Sequence, residues 1–297
     1  MEEDWGEDAT RRAKAALIST LVPNAKRVAD YMYGGQNNFE ADRKAARSLA
    51  VAAPVVGAIA PAVRGFQQRV LRYLVLEAGI TQFLDIGTDL PLVGSTHDVT
   101  QSLVPECRIA YVDNDPMVLS HARALMKSAP GGVVGYVDAD VREPSAIVAS
   151  AKDTLDFEQP IAIMLLFTLA YVTDGAEAAD VVSALAASVP SGSYVAIYHL
   201  ANDLDPAMPA AARHWNKTVP KPLVLRSGAD VLSLVSGLEL IPPGVVPVSN
   251  WRPDLADPAP APAEPSEPGP SADLGGGPVR LARVQPVPVH GVVARKP

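Results

Sequence analysis

A single cysteine, Cys107, occurs among the 297 residues. One thiol forms no internal disulfide and builds no cysteine cage for a metal, so packing must hold the fold. No other metal-ligand pattern stands out, and no metal site is expected. Basic runs are missing too. Lys and Arg number 25 against 33 acidic residues, a formal net charge of −8. Nucleic acid, bound chiefly through its phosphates, is therefore not an expected partner. Long apolar runs are absent. The longest, Ile161 to Val172, is too short to span a bilayer, so no membrane partner is expected and the run reads as a core strand. The first residues, MEEDWGEDATRRAK, lack the apolar centre of a secretion signal. These absences lead us to expect a soluble, cytoplasmic protein. No G-x-G-x-x-G follows the first expected strand, which counts against a nicotinamide dinucleotide.

What is present organises itself around TQFLDIGTDLP, residues 81–91. Phe83, Leu84 and Ile86 make a short apolar run that predicts a strand buried on both faces. Gly87 supplies the backbone freedom of a tight turn, or room for a ligand. The following STHDVTQSLV begins with Ser/Thr and continues at helical spacing, so a helix follows. Strand, glycine turn and helix form the first unit of an open α/β sheet, where nucleotides bind. An acid before a single glycine suits a cofactor with a cationic amino group better than a pyrophosphate. A ligand-free structural turn fits the same residues.

Hydrophobic residues make up 48% of the chain and charged residues 20%, enough for one large domain or two small ones. Helices are expected over 10–21, 25–33, 40–53 and 55–78, before any sheet strand, and could pack as a lid. Asn24 caps the second of these. Between helices, YGGQNNF (33–39) makes a turn that either grips a ligand or is a helix–helix corner. After Thr81 strands alternate with helices: strands over 108–112, 133–137, 161–167 and 192–199, helices over 116–126, 144–151 and 176–189. That pattern predicts a parallel sheet with its strand ends on one rim. Residues 200–228 read as a polar, proline-bearing connection to a helix over 228–235. Leu238 to Val248 reads as a sixth strand region broken by Pro242 and Pro243. Asp254 to Gly277 is Pro, Ala, Glu and Gly without order, too poor in apolar residues to build a core. From composition, the chain beyond it either returns as a strand in VHGVVARKP or stays disordered.

Three acids fall at three successive strand ends: Asp85, Asp113 and Asp140. Asp113 stands where a carboxylate can accept both hydroxyls of a ribose, and Asp140 where one can meet an adenine amino group. Two histidines are candidates for a general base or substrate orienter. His199 ends the fifth strand, and His97 starts the first-turn helix, whose dipole disfavours its protonated form. Each could equally be a satisfied structural histidine. A good nucleophile needs mainly alignment, so a dedicated base is not required.

The segments VPNAKRVADYMYGGQNNFEADR, LDIGTDLP, STHDV, YVDNDPMVLSHARAL, YVDADVREP, GLELIPPGVVPVSNWRP and GVVARKP together resemble the actinobacterial family of S-adenosylmethionine-dependent methyltransferases first known as a domain of unknown function. The resemblance implies a Rossmann-like class I methyltransferase sheet of seven strands, mostly parallel with the last antiparallel. It implies a helical lid over 1–80, a cofactor-binding core over 81–252, an insert over 253–288 and a final core strand over 289–297. It places Asp85, Gly87, Thr88 and Pro91 around the methionine part of S-adenosyl-L-methionine, Asp113 and Asn114 at the ribose, and Asp140 and Val141 at the adenine. Leu166, Phe167 and Thr168 would lie beside the sulfonium, with Tyr33, Gly34, Gly35 and Asn38 contributed by the lid. The chain departs from the family at Asp89, where Gly is usual, at Gln36 and Asn37, which replace Lys and Asp, and at Leu169-Ala170, where Leu-His is common. Three functions follow. The first is methyl transfer to a small-molecule acceptor; the second is binding of the cofactor or its product without catalysis; the third is nicotinamide-dependent oxidoreduction.

Overall fold

The computed structural model describes residues 19–88, 90, 94–256 and 286–297. Apolar runs of five to seven residues become parallel strands: β1 (Gln82–Ile86), β2 (Arg108–Asp113), β3 (Val133–Asp138), β4 (Ala162–Leu166) and β5 (Tyr194–Leu200). β6 (Glu239–Leu240), β7 (Val246–Pro247) and β8 (Val289–Arg295) complete one sheet, in the order β3-β2-β1-β4-β5-β8-β6, with β7 also paired to β8. β1 pairs with β2 on one side and β4 on the other, both parallel. The chain thus reverses its direction of travel beside β1, and a crevice opens at the strand ends there.

β8 runs antiparallel to β5 along its whole length, from Tyr194 opposite Arg295 to Leu200 opposite Val289. On its other side it pairs antiparallel with β6 and β7. These two short strands are the halves of the expected sixth strand, and Pro242 and Pro243 lie between them, where no backbone N–H is available for a ladder. The sheet therefore has eight strands rather than seven, in the expected arrangement. The final strand returns to the sheet as an antiparallel partner of the sixth strand region and also fills the place next to β5.

Helices cover both faces: α1 (Ala25–Met32), α2 (Glu40–Ala52), α3 (Ile59–Leu76), α4 (Thr96–Leu103), α5 (Pro116–Leu125), α6 (Pro144–Ala151), α7 (Gly175–Ala187), α8 (Met208–Thr218) and α9 (Gly228–Leu234). Strand alternation sorts the core. Leu84, Ile86, Val112, Ile163 and Ile197 face α6, α7 and α9, while Phe83, Ile109, Met164 and Tyr198 face the lid helices. Asn24 caps α1 through bonds from the amides of Lys26 and Arg27, as the sequence predicts, and Asp115 caps α5 ahead of Pro116. Trp251, fully buried, meets Phe66 and Tyr73 of α3 edge-on, and Arg69 of the same helix donates to the carbonyls of Trp251 and Val248.

Two expectations need correction. Residues 200–228 contain the helix α8, not only a connection. Ser19 to Val22 are not helical, and the rest of the helix expected over 10–21 lies outside the described residues. So does most of the 253–288 segment; Pro253–Leu255 form a short 3-10 turn at its start. Among the described residues no single helix is long and apolar enough to cross a membrane.

A buried ion pair braces the first helices. Arg27 Nε meets Asp42 Oδ2 at 2.8 Å with both side chains fully buried. Arg27 Nη2 also donates to the carbonyls of Ser19 and Val22, and Asp42 accepts the amides of Asn24 and Phe39. One pair therefore fixes the entry to α1 and the start of α2.

Candidate functional site

At the end of β1 the backbone turns through Gly87, whose φ is +86° and whose N–H donates to Val112 O at 2.7 Å. A Cβ on Gly87 would overlap the Thr168 side chain, which donates from Oγ1 to Ile86 O at 2.6 Å. The space this glycine leaves is filled by the turn after β4, not held open for a ligand. Asp85 points to the lid face and accepts from Thr96 Oγ1 at 2.5 Å. Asp85, Gly87, Thr88, Thr96 and Leu166 surround a recess of about 560 Å³, closed from the lid side by Tyr33 and Arg64.

A second recess, of about 400 Å³, shares Gly87 and holds Asp113, Asn114, Asp140, Val141 and Thr168. Asp113 is buried, and its Oδ1 accepts the amide of Asp115. Burial pushes its carboxyl up from the usual carboxylate range, and the nearby Lys26 ammonium opposes that shift. Asn114 donates from Nδ2 to Asp140 Oδ2 at 2.7 Å, so its side chain braces Asp140; Arg142 Nη1 lies 3.2 Å from Asp140 Oδ1. The three strand-end acids thus line two recesses that join at Gly87.

Lys26 stands over that junction. Its ammonium donates to Gly87 O and Thr88 O, both at 2.9 Å, and lies 3.5 Å from Asp113 Oδ2. Lys221 lines the second recess with its ammonium 4.5 Å from the centre of the Tyr171 ring. Burial, reinforced by the charge of Lys26, lowers the pKa of Lys221 against the pull of the surrounding acids.

Beside both recesses lies an apolar cavity, open to solvent on one side. Tyr33, Val63 and Tyr198 belong to its wall and to the first recess; Lys26 and Tyr171 belong to its wall and to the second. Met208, Ala211, Ala212 and Trp215 of α8 close the far side. Phe167 projects into the cavity from the end of β4 with φ +74°, a left-handed conformation costing on the order of 1 kcal/mol for a side-chain-bearing residue.

Not every expected residue reaches this cleft. Pro91 and Asp89 lie outside the described residues. Gly34, Gly35 and Asn38 form the helix–helix corner. Asp30 accepts the Asn37 amide at 2.8 Å and Asn38 Nδ2 at 2.7 Å, and a Cβ on Gly35 would overlap the Asp30 carboxylate. Gly35 makes room for Asp30, while Gly34 supplies the left-handed turn with φ +80° and faces open space; of this segment, Tyr33 is the residue that enters the cleft. His199 faces away from the cavity that its neighbours Tyr198 and Leu200 line. It is fully buried, donates from Nδ1 to Leu200 O and accepts at Nε2 from Arg226 Nη1 at 2.6 Å. Burial drops its pKa to about 4, and both nitrogens are engaged, so it is not a base for a substrate in the cleft. His97 Nδ1 meets Tyr111 Oη at 2.8 Å and its Nε2 lies 3.3 Å from Asp98. Burial lowers its pKa, against the Asp98 charge. His97 positions Tyr111, which lines the first recess. Sequence reasoning missed Lys26, Lys221 and all of α8. Only α8 carried a signal: Met208, Ala211, Ala212 and Trp215 fall at helical spacing.

Comparison with known proteins fits this geometry. A family model described as S-adenosyl methyltransferase matches residues 11–294. A DUF574 family protein from Streptomyces avermitilis MA-4680 is 33% identical with a TM-score of 0.81, covering 94% of this chain and 99% of that one. A protein from Thermobifida fusca YX, named provisionally as a methyltransferase, is 34% identical with a TM-score of 0.77, covering 95% and 97%. The plantazolicin methyltransferase BpumL, solved with a triazolic desmethylPZN analog and SAH, shares the fold at 12% identity and a TM-score of 0.50, covering 92% and 96%. No curated protein matches the chain.

Proposed function

This chain belongs to the S-adenosyl methyltransferase family, and from that membership we propose that it methylates a small-molecule acceptor held beside the two joined recesses. The family uses S-adenosyl-L-methionine, which supplies an electrophilic methyl group when bound. The residues present suit that cofactor: carboxylates meet a cationic amino-acid end, vicinal ribose hydroxyls and an adenine amino group. In this reading Asp85, with Thr96 fixing its orientation, serves the amino-acid end with Thr88. Asp113 accepts the ribose hydroxyls, while Asp140, braced by Asn114 and Arg142, and Val141 flank the adenine. Leu166, Phe167 and Thr168 stand between cofactor and acceptor. No histidine serves as base; the cleft contributes alignment and exclusion of water.

The observation that carries the proposal is the meeting of three strand-end carboxylates at Gly87, next to a separate apolar cavity. We read residues 1–80 as the lid of this cleft and 81–252 with 289–297 as its core. The organisms of the two closer relatives, and a cofactor made inside cells, support a cytoplasmic actinobacterial protein. A second reading, cofactor binding without transfer, draws support from Lys26, whose ammonium already occupies the Gly87 and Thr88 carbonyls that a cofactor ammonium would use.

Calorimetry with S-adenosylmethionine, S-adenosylhomocysteine and NAD tests the cofactor assignment. Heat with the first two and none with NAD is expected; binding of NAD alone refutes it. Labelled-methyl transfer to cell extracts then separates the two readings, since binding with no labelled product favours the second.

A further inference from the structure

We propose that the methyl acceptor is a mainly apolar molecule with one acidic oxygen, a phenol, enol or carboxylic acid, bound in the apolar cavity with that oxygen at Lys26. This rests on reading the adjoining recesses as the cofactor groove. Among the described residues twenty line the cavity, and Lys26 is the one charged side chain among those twenty. None is Asp, Glu, His, Asn, Gln, Ser or Thr. The other polar groups are three tyrosine hydroxyls and the Trp215 indole N–H, which donates to Lys221 O.

That composition selects by charge and polarity. A sugar or nucleotide would bury many hydroxyls against carbon, each without a partner. A protonated amine would lose its hydration, meet no carboxylate within the cavity and face an ammonium. An oxygen anion would instead pair with Lys26, and the same charge lowers the pKa of its parent acid. Lys26 is held in place for this by its two carbonyl bonds and by Asp113, whose Oδ2 lies 3.5 Å away in the second recess and outside the cavity wall. Because it lines both the cavity and the second recess, it marks the boundary where acceptor and cofactor must meet.

The transfer then balances simply. The acceptor O–H gives its proton to solvent. The oxygen lone pair forms the new O–CH3 bond as the S–CH3 bond breaks. Sulfur keeps the electron pair of that bond, and the sulfonium becomes a neutral thioether.

The test is calorimetric titration of the full chain, loaded with S-adenosylhomocysteine, using naphthoate, naphthol and naphthylmethylamine as probes of matched shape. The two oxygen acids should bind about tenfold or more tighter than the amine, the scale of one favourable against one unfavourable charge contact. In Lys26→Met the preference should shrink to about twofold, and in Lys26→Arg it should persist. Ala211→Phe, which fills the cavity from α8, should abolish naphthalene binding while S-adenosylhomocysteine still binds. Equal or tighter binding of the amine overturns the proposal, as does a preference that survives in a folded Lys26→Met protein. No binding of any probe by protein that binds S-adenosylhomocysteine also overturns it. Absence of S-adenosylhomocysteine binding strikes the cofactor reading instead; the same series on nucleoside-free protein then still decides the preference of the cavity.

Discussion

The two sides of the cleft are built on opposite principles. The cofactor side takes its chemistry from strand ends: Asp85, Asp113 and Asp140 arrive together because β1, β2 and β3 are neighbours in parallel register. The side proposed for the acceptor is assembled from α1, α2, α3, α8 and the turn after β4, and among the described residues its wall is carbon apart from one ammonium, three tyrosine hydroxyls and one indole N–H. A sheet places a few polar groups accurately because each strand is held by its neighbours. A cavity between helices is shaped by many side chains, and changing any one of them changes its outline. Under the proposed function, recognition of a fixed cofactor sits on the rigid part, while the choice of acceptor sits on elements drawn from distant parts of the chain.

Substitutions can break this contrast in order of size. Arg27→Ala should have the largest effect, about 3–5 kcal/mol of unfolding free energy, because it leaves Asp42 buried and unpaired. Urea denaturation measures it, and a loss below about 1 kcal/mol would show that the lid is not braced by this pair. Next is the pH response of His199. Its folded pKa, about 4, lies below the ordinary 6.5, so the unfolded chain takes up the proton first as pH falls. Its contribution is fully present above pH 6.5 and is lost as pH drops to about 4, by roughly 3 kcal/mol. Urea midpoints for wild type and His199→Gln should converge across that window, whereas parallel curves would contradict a neutral, structural His199.

On the cofactor side, Asp113→Asn should weaken S-adenosylhomocysteine binding by about tenfold to a hundredfold, the worth of hydrogen bonds to a charged group. Oxygen-acid naphthalene probes should bind no more weakly, because Asp113 is the carboxylate 3.5 Å from the Lys26 ammonium, and a matching loss there would erase the distinction between the two sides. Smallest is Gly34→Ala. Its φ of +80° makes this cost about 1 kcal/mol of stability. Cofactor affinity should stay within about twofold, since the corner serves Asp30. A larger drop would return the lid glycines to the binding site.

How much of this was legible follows the same division. Alternating runs specified the sheet, and Asn24 and Asp115 announced their helices by residue type alone. Asp85, Asp113 and Asp140 were readable because strand ends share a rim. α8 was hidden because Pro206 and Pro209 look like breakers; Pro209 stands in the first turn, where a missing N–H costs nothing. Lys26 offered no pattern: one lysine on a short helix acquires meaning only once α1 is docked over Gly87. The YGG segment shows a different limit. Resemblance marked Gly34, Gly35 and Asn38 as important, but Gly35 and Asn38 serve a buried carboxylate and Gly34 serves the turn. His199 stood at the right strand end and on the wrong face, a difference of one residue that strand periodicity makes decisive.

The strand β8 has a consequence for how freely this chain can vary in length. It supplies the full pairing edge of β5, yet reaches it only after the long stretch between residues 256 and 286. The entropy of bringing two points of a chain together grows only with the logarithm of the number of residues between them, about 0.6 kcal/mol per doubling. Halving or doubling that stretch should thus leave thermal stability almost unchanged and shift the rate of sheet closure only severalfold. Homologous chains can lengthen or shorten there with little penalty, provided β8 still arrives to separate β5 from β6.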